Sequence, residues 1–341
     1  MPGTGNPAPL LDGRYRLGQW LGGGGMADVY RGVDVRLDRK VAVKVFRSGT
    51  DHAGRARFEE EARLLARLNH PGLVPVYDSS ASGAEPYLVM QLIEGETLAE
   101  ILDRRTLTAG HAIEIGRRLC EVLAHVHANG IVHRDVKPSN ILVSADDRVY
   151  LADFGVSRLV EAVGRMTGSG IVMGTTTYMA PEQVRDADVS YPADVYSLAL
   201  VLLECLTGEV EYPGVGVESA VARLARSPEI PDGPEILTSV LKAMTRFEPE
   251  RRPTAEQCAA WLSGQPPAGL KGITTRGARQ PSVTARWVLF AAAAGVVIMA
   301  VVWFLLPADS VPAPTLPPAH GQPGRERLPA DLATLRKLVG R

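Results

Sequence analysis

The middle of the chain concentrates side chains that suit the transfer of a phosphoryl group. Asp135, Lys137 and Asn140 follow an apolar, helix-like segment, and Asp153 comes thirteen residues after Asn140. Carboxylate and amide oxygens are the hard ligands that Mg²⁺ prefers, and a carboxylate can accept the proton of an attacking hydroxyl. Two acids, an amide and a lysine brought to one cleft therefore predict a site for phosphoryl transfer.

A run of glycines predicts a turn that binds phosphate. Leu21 is followed by Gly22, Gly23, Gly24 and Gly25, between two β-like runs. Without Cβ atoms, the backbone N–H groups of such a turn can approach an anionic phosphate closely. Taken alone, the run is equally typical of a flexible hairpin, so its interpretation depends on the residues that follow.

Lys44 ends the apolar strand-like run 41–44 and needs an anionic partner, because an unpaired buried charge is costly. Seventeen residues later, Glu61 lies in a helix-like segment, one turn before Leu65, and could turn towards Lys44. The neighbouring acids Glu59 and Glu60 would point elsewhere, towards solvent.

The elements that must position these residues fall into two parts. Residues 15–93 contain short β-like runs and one helical stretch, Arg55–Leu68, whereas residues 97–262 show mainly helical periodicity. The β-like runs are Leu17–Leu21, Val29–Val33, Lys40–Phe46, Val74–Tyr77 and Tyr87–Leu92. A small sheet lobe followed by a larger helical lobe would leave a cleft between them, which is a usual place for a ligand.

Taken in order, these motifs resemble the signature of protein kinases. The set comprises the glycine-rich loop, the strand lysine, the helix glutamate, His133-Arg134-Asp135, Asp153-Phe154-Gly155 and Ala180-Pro181-Glu182. The resemblance covers residues 15–262 and implies an α+β, bilobal protein-kinase fold with a small β-rich N-lobe and a large helical C-lobe. Lys137 and the Gly-Thr pair before Tyr178 are typical of Ser/Thr kinases. Together with a single apolar span late in the chain, the set resembles bacterial, membrane-anchored, eukaryotic-like Ser/Thr protein kinases.

The resemblance implies a role for each matching position. The ATP-binding set is Leu21, Gly22, Gly23, Gly24, Gly25, Val29, Ala42, Lys44, Glu61, Met90 and Leu92. In this set Met90 would be the gatekeeper, residues 91–93 the hinge that meets adenine, and Lys44 the partner of the α- and β-phosphates.

The same resemblance assigns the catalytic and structural residues. Asp135 would accept or orient the proton of the substrate hydroxyl, and Lys137 would neutralise the γ-phosphate. Asn140 and Asp153 would bind Mg²⁺, with Mn²⁺ as an alternative. The structural and regulatory set is Arg134, Phe154, Thr175, Glu182, Asp194 and Arg252. In it, Thr175 would support Asp135 and Lys137, Asp194 would hold the backbone of residues 133–135, and Glu182 would pair with Arg252.

The resemblance also bears on regulation and on substrate docking. Thr167 and Ser169 lie where related bacterial kinases autophosphorylate, and a phosphate there could pair with Arg134, although hydroxyls in such a loop can also serve only as polar surface. The run 208–214, GEVEYPG, departs from the family's usual Gly-x-x-Pro-Phe, and Ala27 replaces the third glycine of the loop.

Charge and cysteine content exclude several classes of function. The 37 basic and 38 acidic residues nearly cancel, but residues 1–262 hold 28 basic and 35 acidic residues, a formal charge of −7. Such a body is a poor binder of polyanions, so nucleic acid is excluded as a partner. Three scattered cysteines, with neither metal nor disulfide spacing, favour a reduced, cytosolic domain.

A run of twenty uncharged residues, Trp287–Leu306, predicts a single transmembrane helix, since it would span about 30 Å as a helix. A buried core helix is the alternative. Four basic residues in 263–286 precede the run, which places residues 1–286 in the cytoplasm and the tail 307–341 outside the cell membrane. The predicted order is therefore an N-terminal tail (1–14), a kinase domain (15–262), a juxtamembrane linker (263–286), the span (287–306) and a short Pro-rich tail (307–341).

The expected partners are protein substrates bearing Ser or Thr and the membrane. A small-xxx-small pair in the span (Ala291 and Gly295) is compatible with a homodimer, but in so alanine-rich a run it is weak evidence for one. The rival hypothesis is a membrane-anchored pseudokinase that binds without turnover. Such proteins usually lack the residues that correspond to Lys44, Asp135 or Asp153, and all three are present here. The sequence therefore favours an enzyme, a non-specific Ser/Thr protein kinase.

Overall fold

Period-two alternation builds the central strand of the largest sheet. In Arg39–Phe46, the valines Val41, Val43 and Val45 pack against one apolar cluster, whereas Ala42 and Phe46 belong to another on the opposite face. This is the structure expected for a strand that is buried on both faces. The computed structural model describes residues 10–24, 27–47, 52–83, 85–153, 176–185, 189–214 and 217–265.

Six antiparallel strands form this sheet, in the order β1-β2-β3-β4-β6-β5. The strands are β1 (Leu10–Leu11), β2 (Tyr15–Gly23), β3 (Ala27–Asp34), β4 (Arg39–Phe46), β5 (Val76–Ser80) and β6 (Tyr87–Gln91). One helix, α1 (His52–Arg67), buries Phe58, Ala62 and Leu65 against the sheet side of the core. We call residues 10–91 the sheet lobe.

The remaining described residues, 95–265, form the helical lobe. Its helices are α2 (Leu98–Leu102), α3 (Ala109–Ala128), α4 (Pro181–Val184), α5 (Tyr191–Thr207), α6 (Val217–Ala225), α7 (Glu235–Met244) and α8 (Ala255–Leu262). A second, three-stranded sheet consists of β7 (Gly95–Thr97), β8 (Ile141–Ser144) and β9 (Val149–Leu151). Helix α5 is apolar on nearly all sides and fully buried along most of its length, so it forms the centre of this lobe. It ends at Gly208, whose φ of 74° suits only glycine well.

The two-part α+β architecture predicted from the sequence is observed. Most element boundaries differ from the prediction by one to three residues, and two of the differences concern which residues pair. The strand predicted to begin at Val74 begins at Val76, because residues 73 and 74 pair instead with Leu151 of β9. Residues 10–14, assigned above to an N-terminal tail, join the sheet: Leu11 pairs with Tyr15, and the Arg14 guanidinium lies 2.7 Å from Asp34.

None of the helices within the described ranges is both long and apolar enough to cross a bilayer. The predicted linker, span and outer tail (263–341) lie outside the described residues from 266 onward. Gly25, Phe154, Thr167, Ser169 and Thr175 also lie outside them. What the sequence predicts for these residues stays a prediction.

Candidate active site

The segment 133–135 is held in an unusual backbone conformation by one buried carboxylate. Asp194, on α5, accepts the backbone N–H of His133 at 2.8 Å and that of Arg134 at 2.7 Å, through different oxygens. Arg134 has a φ of 66°, a left-handed conformation that costs about 1–3 kcal/mol for a non-glycine residue. Two hydrogen bonds to an ion can support this strain, so Asp194 fixes the backbone that carries Asp135.

A third contact to the same carboxylate comes from a residue that the sequence did not single out. The His127 Nε2, on α3, lies 2.8 Å from Asp194 Oδ2, and its ring stacks on Tyr191 at 4.8 Å between centroids. His127 thereby joins α3 and α5 directly behind the segment 133–135. Sequence spacing shows only that His125 and His127 face different ways on one helix, and nothing in it pairs either of them with a residue 67 positions later.

His133 connects the segments that carry the two predicted catalytic acids. Its ring accepts the backbone N–H of Asp135 at Nδ1 (3.3 Å), and Nε2 lies 3.0 Å from the carbonyl oxygen of Ala152, just before Asp153. This pattern assigns the proton to Nε2. Burial lowers the pKa of His133 and outweighs the nearby carboxylates, which favours this neutral tautomer at physiological pH.

Asp135, Lys137 and Asn140 meet in the helical lobe as the sequence predicts. The Lys137 Nζ lies 2.8 Å from Asp135 Oδ2, and the Asn140 amide donates to the same oxygen at 2.9 Å and to the Asp135 carbonyl at 2.8 Å. These contacts do not involve Asp135 Oδ1, which is left to accept a further hydrogen bond. Because Asn140 donates through Nδ2, its Oδ1 is left to accept or to bind a cation.

The opposite wall of the cleft supplies the strand lysine. Lys44 Nζ, on β4, forms an ion pair of 2.8 Å with Asp153 Oδ1, which links the sheet lobe to the end of β9. Burial by itself would raise the pKa of Asp153, but the ion pair with Lys44 and the nearby charge of Lys137 together outweigh burial, and the pKa is lowered. Asp153 is therefore ionised at neutral pH. Glu61 lies within α1, but its side chain is outside the described residues, so its pairing with Lys44 stays a prediction.

The glycine-rich segment forms the end of β2 and its turn. Gly22 pairs with Val29, which in turn pairs with Lys44 across the sheet. A Cβ at Gly23 would lie 2.3 Å from a side-chain oxygen of Asp28 and 3.2 Å from the Ala27 carbonyl, so a side chain here would require the Asp28 carboxylate to move. The Gly24 N–H donates to the Ala27 carbonyl at 3.0 Å and closes the described part of the turn.

The predicted adenine pocket is lined by cross-strand neighbours. Ala42 on β4 pairs with Met90 on β6, and Val29 packs against the same apolar cluster. Behind Met90 lies a small cavity of about 20 Å³, room for roughly one water molecule. The residues that line it include Lys44, Phe46, Leu65, Val76, Met90 and Asp153. Leu92 is half-buried and packs against the same apolar cluster.

The last predicted pair joins distant parts of the helical lobe. Arg252 and Glu182 form a buried, bidentate ion pair, with distances of 2.6 and 2.9 Å. Arg252 also donates to three backbone carbonyls, including that of Pro192. Gln183, next to Glu182, donates to the Arg134 carbonyl at 3.3 Å, which ties α4 to the catalytic segment.

The run 208–214 packs into the core of the helical lobe through Tyr212. Its side chain is fully buried, and its hydroxyl donates to the carbonyl of Arg226 at 3.0 Å. Arg223 on α6 lies over the Tyr212 ring and donates to the Thr177 carbonyl. Through Arg223, the unusual run is thus connected to the turn that follows Thr175.

The free cysteines Cys120, Cys205 and Cys258 are all buried, and no cluster of three or more His, Cys, Asp or Glu side chains with metal-site geometry occurs within the described ranges. A larger surface cavity, lined by Ser227, Lys242 and Phe247 among others, contains none of the predicted site residues.

Comparison with known proteins gives one family. The family model for the protein kinase domain matches residues 15–261. Serine/threonine-protein kinase PknB of Mycobacterium leprae is 40% identical over 284 residues, which are 78% of this chain and 46% of that protein. Serine/threonine-protein kinase PknL of Mycobacterium tuberculosis is 47% identical over 217 residues, which are 62% of this chain and 54% of that protein. The chain thus spans about half the length of the curated relatives it matches.

Proposed function

The chain belongs to the protein kinase family, and from this premise we propose that it transfers the γ-phosphate of ATP to Ser and Thr hydroxyls of proteins. One observation carries the proposal: Lys44 pairs with Asp153, Asp135 contacts Lys137 and Asn140, and the charge of Lys137 acts on Asp153, so the two groups lie close together. A lysine for phosphate, two oxygen donors for a cation and a carboxylate beside the acceptor position are the groups that this reaction needs.

The donor set fits a divalent cation such as Mg²⁺ or Mn²⁺. Asp153 is ionised, and the Oδ1 atom of Asn140 is left after Nδ2 has donated to Asp135. When bound, the cation would neutralise charge on the β- and γ-phosphates. Asn140 and Asp153 are the residues that would hold it.

The chain's own residues account for the transfer. Asp135 orients the attacking hydroxyl and accepts its proton as the new bond from that oxygen to the γ-phosphorus forms and the bond to the ADP oxygen breaks. Lys137, 2.8 Å from Asp135, neutralises the transferred group, and Lys44 neutralises the α- and β-phosphates. Asp194 keeps Asp135 in position, since it fixes the backbone of the two preceding residues.

Phosphate incorporation into the full chain, reconstituted in lipid with Mg·ATP, tests this function. We expect label in the wild type and none in Lys44→Met or Asp135→Asn, with Ser197→Ala, a buried change on α5 away from the site, retaining label. Phosphate transfer by the two site variants would contradict the proposal. A folded wild type that binds ATP without turnover would favour a binding scaffold.

Self-activation is part of the proposal and rests on the position of Thr167 and Ser169 in the sequence. Mapping the label should find phosphate on these hydroxyls, which lie in the segment between Asp153 and Glu182. Thr167→Ala and Ser169→Ala should lower the initial rate towards added protein substrate, because the phosphate can no longer pair with Arg134. Full rates in the double variant would contradict self-activation.

We also propose that residues 287–306 anchor the chain in the cell membrane, with the kinase domain cytoplasmic and residues 307–341 outside. The support is the length of the uncharged run and the basic residues before it. The full chain should resist extraction by alkaline carbonate, whereas a chain without 287–306 should not. Protease added to sealed cells should cleave only residues 307–341, because the kinase domain would be protected on the cytoplasmic side of the membrane.

A homodimer through the span would use the small residues Ala291 and Gly295. Replacing both with isoleucine should abolish a dimer detected by cross-linking in detergent micelles. An unchanged yield of dimer would exclude this pairing surface.

A further inference from the structure

Three residues connect the two lobes in the polypeptide. Gln91, at the end of β6, pairs with Val41 and is thereby fixed to the sheet lobe. Gly95 begins β7 and pairs with Ser144, and a Cβ at Gly95 would lie 2.2 Å from a backbone oxygen of Val143, so this backbone lies directly against β8. Residues 92–94 therefore form the linker, and Glu94 is its last residue on the helical side.

A bidentate ion pair crosses this linker. Arg31, on β3, donates to the two carboxylate oxygens of Glu94 at 3.0 and 2.7 Å. Fork-to-fork geometry of this kind is the strongest form of Arg–carboxylate contact, and Arg31 lowers the pKa of Glu94 accordingly. Lys40 contributes more weakly, 3.8 Å from the same carboxylate. The pair joins a strand of the sheet lobe to the residue that immediately precedes the helical lobe.

Arg31 also lies on the face of β3 that borders the predicted adenine pocket. Its neighbour Tyr30 packs with the outer apolar cluster of the sheet, so Val29 and Arg31 face the other way, towards the cleft. Arg31 is the direct cross-strand partner of Ala42, which in turn pairs with Met90. The ion pair therefore lies beside the pocket.

Other described contacts between the lobes include the Lys44–Asp153 ion pair within the cleft and a set of backbone hydrogen bonds. Leu151, on β9, donates its N–H to the Gly72 carbonyl at 2.8 Å and accepts the N–H of Val74 at 3.3 Å. These bonds do not depend on the identity of a side chain. A single substitution removes the Arg31–Glu94 pair and leaves Lys44 and Asp153, the residues predicted to contact phosphate and cation, unchanged.

We propose that Arg31 and Glu94 are positioning residues for the nucleotide: their ion pair holds the two lobes together across the linker and slows the release of nucleotide from the cleft. The inference rests on the proposed function, since it assumes that ATP and ADP bind there. It goes beyond the family resemblance, which assigns no role to either residue.

Release of a fluorescent ADP, carrying N-methylanthraniloyl on its ribose, from the full chain in lipid tests the proposal. Stopped-flow displacement with excess ATP would compare the wild type with Arg31→Gln, Glu94→Gln and the double variant. Each single variant should release the probe about two- to fivefold faster at low salt, the range expected for an exposed pair of good geometry. The double variant should release it no faster than the singles, because both changes break the same contact.

Charge exchange and salt provide a sharper criterion. The variant Arg31→Glu/Glu94→Arg should recover most of the wild-type rate, and all differences should shrink towards 1 M salt, where the Debye length is about 3 Å. The matched control is Arg104→Gln, which breaks an exposed Arg–Glu pair of 2.9 Å to Glu96 within the helical lobe. It should leave the rate unchanged.

Three results would overturn the inference in different ways. If the wild type binds the probe and the single variants release it at the wild-type rate, the ion pair does not control release, whereas the proposed function stands. If the wild type binds neither the probe nor ATP, the proposed function fails and the inference fails with it. Additive effects in the double variant would also exclude a shared contact.

Discussion

Asp194→Asn should slow catalysis far more than it weakens nucleotide binding. The carboxylate of Asp194 accepts two backbone N–H groups, from His133 and Arg134, and lies 2.8 Å from His127. Asparagine has the same shape but only one acceptor oxygen at these positions. In either orientation of the amide, one of the two buried N–H groups faces an NH₂ group and has lost its acceptor.

The expected magnitude follows from that orphaned donor. A buried N–H without a partner costs about 1–3 kcal/mol. Segment 133–135 can escape this cost by moving, and movement would also relieve the left-handed strain at Arg134. We therefore expect the segment to shift, with the productive conformation populated about 5- to 150-fold less and kcat lowered by that factor. The KM for ATP should change little, because Lys44 and the glycine-rich turn belong to the sheet lobe.

Steady-state kinetics at saturating protein substrate, with urea unfolding in parallel, would measure both effects. Ser197→Ala is the matched control, since Ser197 is buried on the same helix and donates only to Ala193, one turn earlier. It should keep its kcat. A wild-type kcat in Asp194→Asn, together with a clear loss of stability, would refute the reasoning, because Asp194 would then serve the fold without holding the catalytic segment.

Three further outcomes are expected. Arg252→Met should lower the free energy of unfolding by about 3–5 kcal/mol, because it leaves the buried Glu182 unpaired; a loss below 1 kcal/mol in urea titrations would contradict this. The lowered pKa of Asp153 contributes stability that is present above the ordinary carboxyl pKa and lost as the pH falls through the folded value. The difference in the free energy of unfolding between the wild type and Lys44→Met, measured by urea titration, should therefore become smaller below about pH 4. A difference that does not change with pH would show that Lys44 is not what lowers the pKa of Asp153. Gly23→Ala should weaken ATP binding, measured by calorimetry, since its Cβ would displace the Asp28 carboxylate from Trp20 and Arg47 and press on the Ala27 carbonyl of the turn; unchanged affinity would show that Asp28 moves without disturbing the turn.

Local pattern was enough to predict the longer strands and the helix of the sheet lobe, and the contacts that spacing or a known signature encodes, but not the short strands β1, β7 and β8. The alternation in β4 and the apolar length of α5 specify a strand and a buried helix wherever they occur. The meeting of Asp135, Lys137 and Asn140 follows from their position on one short segment. Boundaries were less predictable: Val74 reads as strand, but it pairs with β9, which lies far away in sequence.

Contacts between distant segments could not be predicted, because no local pattern encodes them. His127 reads as an ordinary helix residue, and its proximity to Asp194 depends on how α3 crosses α5. Arg31 and Glu94 each read as solvated charges, and only the length of the linker brings them together. In both cases the contact between the two side chains depends on how distant segments pack, and the residue types are only compatible with that contact.

The candidate site has two parts that different elements hold in place, and the two parts should respond differently to mutation. The nucleotide-facing residues, from the glycine turn to Met90, depend on cross-strand pairing in the sheet lobe and on the linker ion pair of Arg31 and Glu94. The residues that face the substrate hydroxyl depend on α5, through Asp194, and on α4, through Gln183. Lys44–Asp153 is the described side-chain contact that links both parts within the cleft. Changes in the sheet lobe should therefore alter nucleotide affinity and release first, whereas changes on α4 and α5 should alter kcat, and only a change at Lys44 or Asp153 should alter both together.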